Sequence, residues 1–247
     1  MTRAALITGG GTGIGAATAR ALADKSWTVY VMGRSAIALS NVAETNANIR
    51  ALPGDINEDD DRRMVADTIR KNHQEGLSLL VNNAGISQFG KLDGLSRNEV
   101  NATIDTNLRS PIALTQLMLS SLRVAHGTVI NISSAVSLGI RASPDNAIYA
   151  ACKAALDVLT RSWSAELAPL VRVVGIAPGV IDTDIGPRSG MSTGAYRAFL
   201  DNMAERVPSG RVGQPDDVAA LVLALTDPSL VYLNGLVIPV DGGLSVT

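Results

Sequence analysis

Tyr149-Ala150-Ala151-Cys152-Lys153 sets a phenol and an ammonium four residues apart. On a helix, positions i and i+4 share a face, with Cβ atoms about 5–6 Å apart. A free tyrosine hydroxyl titrates near ~10, too high for ready proton exchange at neutral pH, and a nearby cation favours the phenolate. The spacing therefore predicts a tyrosine whose pKa is lowered by Lys153 and which works as an acid or base. With four Tyr and four Lys in 247 residues, chance supplies roughly 0.06 such pairs. The alternative is an ordinary surface Tyr and Lys. Cys152 reads as a small packing residue and not as a nucleophile.

A second constellation lies near the N-terminus. Thr8-Gly9-Gly10-Gly11-Thr12-Gly13-Ile14-Gly15 follows the apolar run Ala4 to Thr8 and precedes the alanine-rich stretch Ala16 to Ala23. Glycines permit a tight turn and close backbone approach, and the free N–H groups of a helix start attract an anion. Gly9, Gly11, Thr12, Gly13, Ile14 and Gly15 are thus candidates to hold a dinucleotide pyrophosphate. No G-K-[ST] ending follows, which disfavours a mononucleotide P-loop. At the end of the second apolar run stands Gly33-Arg34-Ser35. An acidic residue there would grip a ribose 2′-hydroxyl, whereas a guanidinium suits a 2′-phosphate. Arg34 and Ser35 therefore favour NADP(H), with NAD(H) the alternative. Asp55, with Ile56, is a candidate for adenine contact, though an Asp ahead of a helix also reads as an N-cap.

These groups need a scaffold. Short β-rich runs (Ala4 to Thr8, Thr28 to Met32, Leu77 to Val81, Thr128 to Ile132, Val171 to Ile176, Leu236 to Val240, and more weakly Asn48 to Leu52) alternate with helical stretches. The helical stretches are Ala16 to Ala23, Asp59 to Lys71, Ala113 to Leu122, Ala147 to Leu167 and Pro215 to Leu225. This alternation predicts an α/β fold: one doubly wound parallel sheet, Rossmann-like, with helices on both faces and a single domain over 1–247. Pro111 should kink or restart the helical region from about Asn98 to Arg123. The acidic run Glu58 to Asp61 fits a solvated helix N-terminus, and His73 and His126 fit helix ends that favour a cation.

Composition narrows the function. Charged residues are 18% and the net charge is −2, so no basic surface advertises nucleic acid or acidic lipid. The apolar runs fall short of a membrane span, no signal peptide is visible, and one cysteine fits a reducing compartment. The expectation is a cytoplasmic protein with no metal site.

Further motifs fall in order along the chain. Asn82-Asn83-Ala84-Gly85, Asp105-Thr106-Asn107-Leu108, Asn131-Ile132-Ser133-Ser134 and Pro178-Gly179-Val180-Ile181-Asp182-Thr183 precede Gly213-Gln214-Pro215 and Val240-Asp241-Gly242-Gly243. With the glycine loop and Y-A-A-C-K, the chain resembles the classical short-chain dehydrogenase/reductase family over essentially its whole length. The resemblance implies Asn107, Ser134, Tyr149 and Lys153 as the catalytic set. Tyr149 would be the general acid in carbonyl reduction and base in alcohol oxidation, and Lys153 would also hold the nicotinamide ribose. Ser134 would bond the substrate oxygen, and Asn107 would help position a water. It further implies cofactor contacts from Asn83, Ala84, Gly85, Pro178, Gly179, Ile181 and Thr183. Independently, the strands' carboxyl ends share one edge, so these segments meet in one crevice.

Two features depart from the pattern or extend it. The separation of 15 between Ser134 and Tyr149 is a couple of residues longer than usual, which could displace Ser134. The added length, in Ser137 to Ile148 with Arg141 and Asp145, either shapes access or bulges outward. The segment 184–211, with Ile185, Met191, Tyr196, Phe199 and Met203, corresponds to a mobile lid in the family. With Gln88, Phe89, Val136 and Leu138, these residues suggest a mainly apolar pocket, while Arg141 and Arg188 leave an acidic substrate open. The resemblance also implies a homotetramer built on the helices around Asn107 and Tyr149. The leading expectation is an NADP(H)-dependent oxidoreductase acting on a carbonyl or secondary alcohol. The alternatives are an NAD(H) enzyme of the same family, an epimerase or dehydratase recycling the cofactor, and a non-catalytic cofactor sensor.

Overall fold

A computed structural model describes residues 3–138, 142–183, 185–188 and 190–247. Arg141, Asp184 and the side chain of Arg188 lie outside the described residues. Seven strands form one parallel sheet: β1 (Ala4–Thr8), β2 (Thr28–Gly33), β3 (Ile49–Pro53), β4 (Leu79–Asn82), β5 (Thr128–Ile132), β6 (Arg172–Pro178) and β7 (Val237–Val240), in the order β3-β2-β1-β4-β5-β6-β7. Strands such as Ala-Ala-Leu-Ile-Thr are buried at every position because helices cover both faces.

The helices are α1 (Gly13–Ala23), α2 (Ala36–Ala43), α3 (Asp59–Asn72), α4 (Arg97–Ile104), α5 (Ser110–Val124), α6 (Ala147–Leu167), α7 (Ile185–Arg188), α8 (Thr193–Arg206) and α9 (Pro215–Ala224). On one face, Ala16, Ala19 and Leu22 of α1 and Val218 and Val222 of α9 pack on Ile7, Val29 and Ile176. On the other, Val65 and Ile69 of α3 and Leu114, Met118 and Leu122 of α5 pack on Leu6, Leu80 and Val173. Trp27 belongs to the first core and Trp163 borders the second, so both are packing residues.

The order reverses between β1 and β4, where an open α/β sheet leaves a crevice. Thr8 closes the floor of that crevice. Its Oγ1 accepts from the N–H groups of Asn83 (3.0 Å) and Ala84 (2.9 Å), while Asn83 Nδ2 donates to the Thr8 carbonyl at 2.8 Å. Farther along, Asn82 Nδ2 donates to Thr115 Oγ1 (3.1 Å) and Asn131 Oδ1 (2.9 Å), and Asn131 Nδ2 donates to Thr160 Oγ1 at 2.9 Å. This buried polar chain fixes α5, β4, β5 and α6 in register.

Three expectations change in detail. The interruption near Pro111 falls earlier, as a π-turn at Asp105–Arg109 in which the Ser110 N–H reaches the Asp105 carbonyl. A proline ring at 111 clashes with the carbonyl four residues back, at 107, and a widened turn relieves that clash. Pro111 itself then sits in the first turn of α5. His73 follows α3 but its Nε2 lies 3.0 Å from Tyr30 Oη, and burial pushes its pKa down, opposed by Glu75. Desolvation there outweighs the helix end that would favour a cation. Finally, the segment after Thr183 holds α7 and α8, and Tyr196, Leu200 and Met203 of α8 are buried.

Candidate active site

The crevice is a cleft of about 660 Å³ at the carboxyl ends of β1, β4, β5 and β6. Its cradle wall is Gly9, Thr12, Gly13 and Ile14. Gly9 has φ +64° and Gly13, which opens α1, has φ +51°, a left-handed backbone that other residues adopt only under strain. A Cβ at Gly13 would come within 3.0 Å of the Thr183 side chain, which also lines the cleft. At Gly9 and Gly13 the wall is therefore backbone alone, at the N-terminus of α1. Such a surface fits the pyrophosphate of a dinucleotide. Gly15 stands behind it, where a Cβ would run into the Gly9 carbonyl, and Gly11 packs against Ala38 of α2. These two glycines allow the loop to close and do not line the cleft.

The opposite wall carries Ser134, Tyr149 and Lys153, with Asn83 and Gly85 below and Pro178, Gly179, Ile181 and Thr183 along the edge. Helix α6 presents Tyr149 and Lys153 on one face, and Lys153 Nζ lies 5.5 Å from the Tyr149 ring centre. Lys153 is only 3% exposed, and Nζ donates to the Ile132 carbonyl at 2.8 Å. Its pKa is pushed from the ordinary 10.5 down to about 8 by burial, against the pull of Cys152 and Asp157.

The expected lowering of the tyrosine is not what the site shows. Burial pushes Tyr149 up to about 12, and the hydrogen bond with Ser134 only partly offsets it. Desolvation of the phenolate wins because burial is the largest influence on Tyr149, and Cys152 adds to it while only Ser134 opposes it. The phenol is thus protonated at neutral pH. Despite the longer segment that follows, Ser134 lines the cleft with Tyr149 and its hydroxyl acts on the phenol.

Asn107 lies just behind this wall, fully buried in the π-turn. Its Nδ2 donates to the carbonyls of Ile86 (2.8 Å) and Thr103 (2.9 Å), while its Oδ1 has no partner. A Cβ at Gly85 would come within 2.8 Å of that Oδ1 and 3.6 Å of Lys153 Nζ. The arrangement brings an acceptor and a buried ammonium to the same face of one glycine.

Other candidates are spread more widely. Ala84 lends its N–H to Thr8. Arg34 and Ser35 are exposed beyond the cleft, where the Ser35 hydroxyl accepts from the Ala38 N–H at 3.2 Å and caps α2. Asp55 accepts from the Asn57 N–H at 2.9 Å in a turn, and the Ile56 side chain is in the core. Of the residues expected to shape the pocket, Phe89, Val136, Ile185, Tyr196, Phe199 and Met203 line the cleft, whereas Gln88, Leu138 and Met191 do not. Tyr196 Oη accepts from the Thr183 N–H at 3.2 Å, which ties α8 to the edge that faces the glycine cradle.

Ser87, Asn146, Arg206, Leu244 and Ser245 also line the cleft and were not singled out from sequence. A signal for two of them existed: Leu244 and Ser245 follow β7, and the rule that ligands gather at strand carboxyl ends applies there as well. Among the described residues, no group of three or more His, Cys, Asp or Glu could hold a metal ion. No helix among them is long and apolar enough to cross a membrane.

The matching family model, described as Enoyl-(Acyl carrier protein) reductase, spans residues 9–245. The chain belongs to the short-chain dehydrogenase/reductase family. It is 32% identical to a 3-oxoacyl-(acyl-carrier-protein) reductase of Thermotoga maritima, over 98% of this chain and 97% of that one. It is 30% identical to carbonyl reductase family member 4 of Danio rerio, over 100% and 99%. Among solved structures, a short-chain dehydrogenase/reductase of Caenorhabditis elegans with cofactor superposes with a TM-score of 0.93 at 30% identity, covering 99% and 96%. A Brucella melitensis 3-ketoacyl-(acyl-carrier-protein) reductase complexed with NADH gives 0.89 at 25%, covering 98% of each. Membership makes this chain one of a family of nicotinamide-dependent oxidoreductases acting at C=O and CH–OH groups.

Proposed function

We propose that this short-chain dehydrogenase/reductase is an NADPH-dependent reductase of ketones with an apolar body, in which Tyr149 is the general acid. One observation carries the reading: Ser134, Tyr149 and Lys153 share one wall of the cleft, with the phenol held protonated. When bound, the nicotinamide supplies the hydride.

The chain's own groups supply the rest. The cradle of Gly9, Thr12, Gly13 and Ile14 receives the pyrophosphate. Thr183, Ile181, Gly179 and Pro178 close the other side, and Lys153 is placed to hold the ribose. Ser134 and Tyr149 hold the substrate oxygen between two hydroxyls, and Tyr149 gives it a proton. Lys153 and the partnerless Oδ1 of Asn107 mark the route by which a water restores that proton. The wall of Phe89, Phe199, Tyr196 and Met203 excludes water and favours an apolar chain. 3-Oxoacyl groups, named for the bacterial relatives, have this character. Preference for NADPH rests on Arg34, which takes part in none of the ion pairs among the described residues. It is free for a 2′-phosphate, and no carboxylate stands beside it in Gly33-Arg34-Ser35.

A cytoplasmic homotetramer remains the expected setting, to be read by light scattering. The activity test is NADPH and NADH titration by thermal shift, followed by cofactor absorbance over a panel of ketones that includes ethyl 3-oxobutanoate. Tyr149→Phe should lower kcat about 10²–10⁴-fold with NADPH affinity intact. Unchanged turnover removes Tyr149 from the mechanism. Product formation without net NADPH consumption points instead to cofactor recycling. Binding without any turnover leaves a sensor.

A further inference from the structure

Asp157 stands one turn beyond Lys153 on α6 and is 5% exposed. Its Oδ2 lies 2.6 Å from the Ser137 hydroxyl, and its Oδ1 has no partner. A buried carboxyl with an idle oxygen is costly, and an apolar residue would pack at that position without the penalty. The surroundings indicate what the carboxyl holds. Ser137 Oγ is also 2.6 Å from the Ser134 carbonyl and 3.1 Å from Ser133 Oγ, and the Ser133 hydroxyl donates to the Lys153 carbonyl at 3.3 Å. Ser137 belongs to the short 3₁₀ turn Ala135–Leu138 that follows Ser134. One carboxyl thus fastens the segment bearing Ser134 to the helix bearing Tyr149 and Lys153.

We infer that Asp157 is a positioning residue, which acts through Ser137 to hold the Ser134 hydroxyl against Tyr149. This explains why added length between Ser134 and Tyr149 leaves the pair intact. The tie is made at Ser137, three residues past Ser134 and ahead of the added length. The ends of the tie are 3 residues past Ser134 and 8 residues past Tyr149, read from the numbering. Both stretches are regular turns of helix, which makes the bracket short and stiff. The titratable groups acting on Lys153 are Cys152 and Asp157, both on α6, and both favour its ammonium against burial.

The inference rests on the roles proposed for Ser134 and Tyr149, and a double-mutant cycle separates the two. Asp157→Asn, Ser137→Ala and Ser134→Ala are compared singly and in pairs, with NADPH and ethyl 3-oxobutanoate as probes and NADPH affinity read by fluorescence. Asp157→Asn and Ser137→Ala should each lower kcat about 10- to 100-fold, with KM and NADPH affinity unchanged. In the Ser134→Ala background neither should lower kcat further. Additive losses, or an unchanged kcat in both variants, overturn the positioning role. If Asp157→Asn does not fold, the Ser137→Ala arm decides by the same criterion. A wild-type protein that binds NADPH and reduces no ketone overturns the functional reading itself, and the inference with it.

Discussion

The two ends of the cleft are built on different principles. At the chemical end, Tyr149, Lys153, Asn107 and Ser134 are each fastened to backbone or to another side chain, and Lys153 and Asn107 are almost wholly buried. At the outer end, Arg34 is exposed and Ser35 caps a helix at the surface. Catalytic geometry has to be held within fractions of an ångström, so it is placed inside a rigid wall. Selection between two cofactors needs one charge at the right distance. An exposed arginine such as Arg34 could carry that charge without disturbing the core.

The contrast gives graded expectations. The largest effect should come from Lys153→Met: kcat falls about 10²-fold or more, yet at pH 7 the melting point rises by about 2–4 °C. Lys153 titrates near 8 in the folded chain instead of 10.5, so the unfolded state binds more protons between those values. Stability therefore rises with pH across that window, and below it the burial penalty is felt in full. Calorimetry of both proteins at pH 7 and at pH above about 10.5 should show the gain shrinking at the higher pH. A gain that does not depend on pH would mean that the buried charge is not its source.

Next is Arg34→Ala, which should weaken NADPH about 10- to 100-fold, the range of a lost charge-assisted hydrogen bond, and leave NADH unchanged. Equal weakening of both cofactors would put Arg34 in a general surface role and narrow the contrast between the ends. The smallest effect on turnover belongs to Gly15→Ala. Its Cβ meets the Gly9 carbonyl, and overpacking of about 1–3 kcal/mol should lower the melting point by about 2–10 °C. Cofactor affinity should drop with it, because the cradle must shift. An unaltered melting point would show that the loop yields more easily than the close packing suggests.

The sheet was readable because its strands are short apolar runs bounded by glycine or polar residues. β1 and β5 fall where the pattern puts them, and α6 spans the full predicted stretch. Helix α2 was missed because it has only eight residues, of which Leu39 and Val42 are buried, too few for a visible period. Helix α8 was obscured by the glycines and serines around it. Its buried Tyr196, Leu200 and Met203 do keep helical spacing, and Ser192 accepts from the Ala195 N–H as an N-cap. In the site, residue identity and order pointed to Tyr149, Lys153, Ser134 and the glycines. The sign of the tyrosine shift was not readable, because it depends on how much protein surrounds the phenol in three dimensions. Asp157 was passed over for the same reason: nothing in the sequence ties it to Ser137.

Cys152, the single cysteine of the chain, lies between Tyr149 and Lys153, is 3% exposed, and has its thiol pKa pushed up by burial. Alkylating reagents reach such a sulfur only when that turn of α6 comes away from its neighbours. Because no second thiol competes, the labelling rate times the opening of α6 alone. Slower labelling on adding NADPH would register, from inside the protein, how far ligand binding clamps the turn.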